Sequence, residues 1–265
     1  MSTATLARQS ELDRCLDAAE LTMALAEELL EVAELLSGQP RLRNALSDPT
    51  TSDQRRRELA ESVLGGKVGH GAVVVVGQAA TLKWGSGGRL VHALRRQALR
   101  ALVAVAQQSG RLDQVEEELF RLGRTAAGSP ELRKALDDHS VRVSARRRLV
   151  AELIADKADP ITLELAEQAV QADEGSFEQG IEDALQLAAQ ARRRAIATVT
   201  VARPLTDEQQ ARLAAVLVRQ LGRQVNLQVL IDPNVIGGAR VQVGDQVIEG
   251  TLASRLAAAE QHLTK

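Results

Sequence analysis

Up to about residue 196 the apolar positions of this chain recur at spacings of three and four, and beyond it they alternate in twos. The first period is that of a helix with one buried face, the second that of a half-buried strand. Near the N-terminus Leu12, Leu16, Ala19, Met23, Ala26, Leu30 and Ala33 keep an a/d seam. Leu25, Leu29, Val32 and Leu36 add a second stripe beside it, so a wide face seeks burial. Ser10 and Asp13 have the form of a capping-box start. One long helix is expected, reaching back to about Leu6 and ending at Gly38. It is a core helix or a coiled-coil partner. Glu20 lies inside the unbroken pattern and is a good helix former, so no turn is expected there.

Short helices follow at about 41–47, 53–64 and 69–83, and Gly85-Ser86-Gly87-Gly88 breaks the pattern. The next helix carries Leu90, Leu94, Ala98, Ala101, Leu102 and Val105 on one face. Gly110 turns the chain, and Leu112, Val115, Leu119 and Leu122 stripe the helix after it. Further helices read at about 131–137, 144–156, 160–173 and 177–196. Ser129-Pro130 and Asp159-Pro160 each set a capping residue before a proline at the first helical position.

Period two begins at Thr198–Ala202. Pro204 stops that strand, and Thr206 with Gln209 caps a helix to about Leu221. Then Val225, Leu227, Val229 and Ile231 point to one face, with Asn226, Gln228 and Leu230 on the other. Asp232-Pro233-Asn234 ends this strand, because proline has no N–H for a ladder. Gly237 and Gly238 permit backbone angles closed to other residues. Val241 and Val243 alternate with Arg240 and Gln242, Gly244-Asp245 is a hairpin signal, and Gln246–Ile248 returns. Gly250-Thr251 then leads into a helix from Leu252 to about Leu263.

The chain also matches itself when shifted by ninety residues. Gly38, Pro40, Leu42, Arg43, Ala45, Leu46 and Asp48 fall on Gly128, Pro130, Leu132, Arg133, Ala135, Leu136 and Asp138. Arg56-Arg57 falls on Arg146-Arg147, Lys67 on Lys157, Gln78-Ala79 on Gln168-Ala169, and Glu27-Glu28-Leu29 on Glu117-Glu118-Leu119. The fold class is therefore α+β: a duplicated all-α helical bundle followed by a small β-α-β-β-β-α module. The expected domains are 1–87, 88–196 and 197–265.

Composition narrows the function. Net charge is −2 and aromatics are 1% of the chain, so there is neither a strong field for nucleic acid nor a set of rings to stack bases. Cys15 stands alone, which points to a reducing compartment. No apolar run approaches the ~20 residues of a membrane span, and MSTATLARQSELDR lacks the apolar core of a signal peptide. His70, His92, His139 and His262 are scattered rather than clustered as metal ligands. Gly85-Ser86-Gly87-Gly88 has no phosphate-loop lysine. The runs Arg55–Arg57, Arg146–Arg148 and Arg192–Arg194 lie in acid-rich helices, so salt-bridged faces are favoured over a nucleic-acid site. No cofactor, metal, catalytic residue or intrinsic ATPase is expected.

The ordered residues Ile231-Asp232-Pro233, Ile236-Gly237-Gly238, Val241, Val243-Gly244-Asp245, Val247-Ile248 and Gly250 closely resemble the C-terminal signature of the delta subunit of F-type ATP synthases. That family includes the oligomycin-sensitivity-conferring protein. Ala101-Leu102, Ala106, Gly110-Arg111-Leu112-Asp113, Glu116–Leu119 and Pro130-Glu131-Leu132 resemble its helical domain. Gln97 and Val103 depart from it, standing where aromatics are common. The resemblance covers roughly residues 94–265, and the duplicated extension in front is like that of actinobacterial members.

The resemblance implies a stator subunit on the cytoplasmic face of the plasma membrane, not a catalyst. It implies that the helical domain grips N-terminal segments of alpha subunits, with beta subunits as a further candidate contact, and that the C-terminal module holds the b-type stalk. In the family, helices one and five line the alpha groove. That implies a groove of Leu99, Leu102, Val103 and Ala106, with Leu163, Ala166 and Val170 opposite. The first copy, its helices merged at Glu20, is expected to act only as a brace. The other reading is a helical nucleic-acid-binding or regulatory adaptor using the arginine runs. An uncharacterised enzyme is a third.

Overall fold

The structure, a computed structural model, describes residues 3–155, 157–170, 175–194, 196–221, 226–232, 238–243 and 246–249. The chain divides into two compact units, Met1–Ala188 and Ala189–Lys265.

The first unit is helical. Its elements are α1 (Thr3–Asp17), α2 (Met23–Gly38), α3 (Pro40–Ser47), α4 (Asp53–Leu64), α5 (His70–Thr81), α6 (Gly87–Gln108), α7 (Leu112–Gly128), α8 (Pro130–Asp137), α9 (Val143–Ile154) and α10 (Pro160–Ala169). The last helix, α11 (Phe177–Arg194), runs across the division. The N-terminal rod expected across Glu20 does not form: α1 ends at Asp17 and α2 starts at Met23. Thr22 is the reason. It takes an extended backbone, and its Oγ1 accepts from the Leu25 amide at 3.1 Å, so the first turn of a new helix is satisfied. The local cap outweighs the helix propensity of Glu20, and α1 folds back onto α5 and α6. Ser10 and Asp13 lie inside α1 and start nothing.

The core is built mainly from leucine, alanine and valine on the faces the spacing marked, among them Leu12, Leu29, Val75, Leu94, Leu119 and Ile161. One charged residue is built into it. Arg56 is 1% exposed. Its guanidinium donates to the carbonyls of Asp48 (2.6 Å), Thr51 (2.7 Å), Ala80 (2.7 Å) and Thr81 (3.0 Å), and to Asp53 Oδ1 (2.7 Å). A buried guanidinium is tolerable only when its donors are met, and here they bind the end of α5 to the start of α4.

Several of these features recur ninety residues on. Helices α3 and α8, and α4 and α9, start that far apart. Glu28 accepts from the Gly69 amide and Glu118 from the Asp159 amide, both at 2.9 Å. Asp48 accepts from Thr50 N and Asp138 from Ser140 N, at 2.9 and 3.0 Å. Arg57 donates to Gln78, and Arg147 to Gln168, at 2.7 and 3.3 Å. The helix crossings differ at one point. Gly180 lets α11 approach the end of α10 so closely that a Cβ there would lie 2.6 Å from Ala169 Cα. The residue ninety places earlier is Leu90, fully buried on α6.

The second unit is a four-stranded sheet in the order β2-β1-β3-β4. Here β1 is Ile196–Val201, β2 Asn226–Ile231, β3 Ala239–Val243 and β4 Gln246–Glu249. Helix α12 (Asp207–Leu221) makes the crossover between β1 and its parallel neighbour β2. Strand β3 runs antiparallel to β1, with Val241 beside Val199, and β4 returns on β3. Val199, Val201, Leu217 and Val241 form the core, with Leu205, Leu213, Leu227, Val229 and Ala239 around it. Ile231, expected to face inward with Val229, is 56% exposed. It stands at the last position of an edge strand, where the alternation no longer finds a cover. The hairpin turn Gly244-Asp245 and the helix expected at Leu252–Leu263 lie outside the described residues.

Candidate partner-binding surfaces

Helices α6 and α10 pack together. Their ends are fastened by Arg111, whose guanidinium reaches Asp159 Oδ2 at 2.7 Å. Asp159 also caps α10, its Oδ1 accepting from Ile161 N at 2.8 Å. Glu118 on α7 completes the joint, accepting from Asp159 N at 2.9 Å and from Thr162 Oγ1 at 2.6 Å. Burial raises the Glu118 pKa, but hydrogen bonds from Thr162, Gln114 and the Asp159 amide prevail and hold it below the ordinary value.

Of the seven expected groove residues, Leu102, Val103, Ala106, Ala166 and Val170 are buried within this chain. Leu99 and Leu163 are half-buried. Of the set, Leu99 and Leu163 are the two that keep surface. Sequence spacing did not single out Glu164 and Glu167, both half-buried on α10. Burial, then the neighbouring Glu164 carboxylate, push the Glu167 pKa up, against the pull of Arg147.

In the first half, α1 lies beside α5, with Gln78 Nε2 donating to Glu11 Oε1 at 2.8 Å. A folded-back α1 removes the ground on which this half was expected to lack a groove. What distinguishes it is a buried polar cluster between α1 and α6. Asp13 Oδ1 receives Arg96 Nη1 at 2.7 Å, Gln97 Nε2 at 2.8 Å and Arg100 Nη1 at 2.8 Å. Arg100 also reaches Asp17 at 2.9 Å. Gln97 is fully buried, and Asp13 and Arg100 nearly so. Burial acts to raise the Asp13 pKa, but Arg100, Arg96 and Gln97 together hold it below the carboxylate range. Gln97, odd in the sequence for want of an aromatic, is explained by this cluster. A pairing across 84 positions leaves no periodic signal.

In the second unit, Asp232 N donates to Val201 O at 2.9 Å, closing the end of β2 onto β1. Gly238 has φ +79, a conformation open to glycine at little cost. The other signature residues, Pro233, Ile236, Gly237, Gly244, Asp245 and Gly250, lie outside the described residues. Two arginines of each of the first two runs are engaged within the fold. Arg56 and Arg146 are buried, and Arg57 and Arg147 bind Gln78 and Gln168. Among the described residues no group of three or more His, Cys, Asp or Glu is placed to hold a metal ion.

Comparison with known proteins gives the family. The model for the ATP synthase delta (OSCP) subunit matches residues 99–263. The ATP synthase subunit delta of Parafrankia sp. (strain EAN1pec) is 43% identical over 91% of this chain and 87% of its own. That of Streptomyces coelicolor is 41% identical over 98% of this chain and 96% of its own. A chain of the Toxoplasma gondii mitochondrial ATP synthase hexamer covers 63% of this chain and 95% of its own, at 22% identity and a TM-score of 0.31 that carries no argument. The chain belongs to the ATP synthase delta (OSCP) subunit family. A subunit of that family is a structural part of the stator and not a catalyst, and is a peripheral component of a membrane complex. No helix among the described residues is long and apolar enough to cross a membrane.

Proposed function

We propose that this chain ties the catalytic head of an F-type ATP synthase to its membrane-anchored b-type stalk, on the cytoplasmic face of the plasma membrane. The observation that carries the reading is the family match over residues 99–263, which spans the second helical half and the sheet unit. The helical half at 88–196 holds the head and the module at 197–265 holds the stalk. A rotor turning inside the head exerts torque on it, and the tie must resist that torque at two separate interfaces. Several modest contacts on one body add through effective concentration.

The head contact is an amphipathic N-terminal helix of an alpha subunit, seated against Leu99 and Leu163 over Leu102, Val103, Ala106, Ala166 and Val170. Beta subunits are a second contact of the head. The helical region is a duplication, with residues 1–87 as the first copy. The hydrogen bonds recurring ninety residues apart support this, since paired backbone and side-chain partners are not kept by composition alone. The apolar groove belongs to the second copy because its helix carries Leu99 and Val103 where α1 carries Gln9 and Asp13.

The test is purification of the tagged full-length chain from detergent-solubilised membranes, with partners identified by mass. Alpha, beta and b-type subunits are expected together. Leu99→Glu with Leu163→Glu should cut alpha retention about tenfold and leave the b-type subunit bound, because two central anchors are lost from one interface only. Unchanged alpha retention would refute the groove, and absence of ATP synthase subunits would refute the whole reading. The purified chain should hydrolyse no ATP.

A further inference from the structure

We infer that the alpha-subunit helix seated on α10 carries a lysine or arginine that meets Glu164 and Glu167, one turn beyond its contact with Leu163. The inference deepens the head contact proposed above and rests on it, adding a charge to the partner's apolar face.

Every residue of α10 after Pro160 is buried or half-buried. The half-buried ones are Leu163, Glu164, Glu167 and Gln168, and their spacing sets them on one strip of the helix. Glu167 lies one turn beyond Leu163 on that strip, with Glu164 beside it. An apolar anchor is thus bordered by two carboxylates. Glu164 Oε1 accepts from Gln168 Nε2 at 3.1 Å, and Gln168 Oε1 accepts from Arg147 Nη2 at 3.3 Å. Glu167 has no hydrogen bond or ion pair among the described residues. The cation that acts on it, Arg147, turns its guanidinium to Gln168 and, at 3.6 Å, to Glu34. A carboxylate half withdrawn from water beside a second one destabilises the free chain unless a cation meets it.

The first half has the same strip without the charge. Ninety residues earlier stand Val73, Val74, Gly77 and Gln78. Arg57 and Gln78 make the hydrogen bond that Arg147 and Gln168 make. Arg57 lies over Gly77, where an added Cβ would stand 3.4 Å from its Cγ. The helix and its arginine therefore form without either carboxylate, and packing alone does not call for them. Both carboxylates fall within the part of the chain that matches the family model. Uncompensated negative charge beside the anchor assigned to the alpha helix is complementary to a basic residue on that helix. By itself the contact is small, and it gains force as one of several on a single body.

The experiment titrates a labelled synthetic peptide of the same organism's alpha N-terminal segment onto the full-length chain, by fluorescence anisotropy at low and at physiological salt. The variant is Glu164→Gln with Glu167→Gln. It should bind the peptide about fivefold more weakly at low salt, the upper scale of an exposed ion pair. It should also lose most of the salt dependence of the wild type. Its melting temperature should be no lower than that of the wild type, because neutral amides end the repulsion between the two carboxylates. A melting temperature that falls together with the affinity assigns the carboxylates to the fold and overturns the inference. Equal or tighter binding by the double variant, while Leu163→Glu weakens binding, overturns the cation and leaves the groove standing. A peptide that does not bind the wild-type chain, or that is indifferent to all three substitutions, overturns both.

Discussion

Asp13 and Val103 occupy matching places in the two helical halves, and they hold their helices by opposite means. Asp13 is clasped by Arg96, Gln97 and Arg100, and fixes α1 in one register on α6. Val103 is simply enclosed in apolar packing. A buried ionic clasp is weak support for net stability but costly to break, because the partner charges are then left stranded. Apolar packing tolerates small shifts. The joint with the clasp is suited to stay in one register, and the apolar one to admit small movement.

Substitutions at four positions would break or sharpen that contrast. The largest effect is expected from Gly180→Leu, which gives the second half the residue of the first. A Cβ there meets the Ala169 carbonyl and Cα. Backbone cannot move aside as a side chain can, so the cost should be about 3 kcal/mol or more. Urea unfolding measures it, and a near-neutral result would mean that α11 can cross α10 as α6 crosses α5.

Next is Asp13→Val, the second half's residue placed in the first. Arg96 and Arg100 would lose the carboxylate they share, while Arg100 keeps Asp17 and Gln97, and the loss should be about 2–3 kcal/mol. Acid gives a finer reading. The Asp13 pKa in the folded chain lies below its ordinary 3.8. Its contribution is therefore complete above 3.8 and disappears as pH falls through the depressed folded value. Asp13→Asn should flatten the stability profile in that acid window. A profile unchanged from wild type would show that the clasp contributes nothing.

The smallest effect separates Glu118 from Glu28, which hold equivalent amides. Glu118→Gln gives up a carboxylate bound to Thr162, Gln114 and the Asp159 amide and should cost about 1 kcal/mol. Glu28→Gln, with one such amide at Gly69, should cost less. Thermal melts of the two variants decide it, and an equal or reversed order would show the two joints to be alike.

The apolar periods made most of the helices and the strand sequence legible. Helix α4 spans Asp53–Leu64, as the spacing implies, and the structure adds its cap, Ser52 Oγ accepting from Arg55 N at 3.4 Å. The turn between α1 and α2 was hidden because Ala19, Met23 and Ala26 continue the seam straight through it, and no glycine or proline marks it. Thr22 carried the only local signal. The polar joints were hidden for another reason. Asp13 with Gln97, and Glu28 with Gly69, are far apart in the chain, and a charged residue on a helix face reads the same whether it ends in water or under a neighbour. Of the seven residues expected to line a groove, Leu102, Val103, Ala106, Ala166 and Val170 are buried as their spacing implies, while Leu99 and Leu163 are half-buried, a difference that helical spacing does not encode.

Helix α6 has 22 residues, about 33 Å of unbroken helix. Its neighbours are α1, α2, α3 and α5 on the side of the first half, and α7 and α10 on the side of the second. One beam thus serves two spans. A joint between separately closed bundles could flex like an elbow, but a load on either span here bends the same backbone ladder. Bending it means straining consecutive peptide hydrogen bonds, not opening a loop. The same splice sets a rule for length: residues can be added to or removed from the beam only in near-whole numbers of turns, about 7, 11 or 18 at a time, since any other step would turn its buried face away from one set of neighbours.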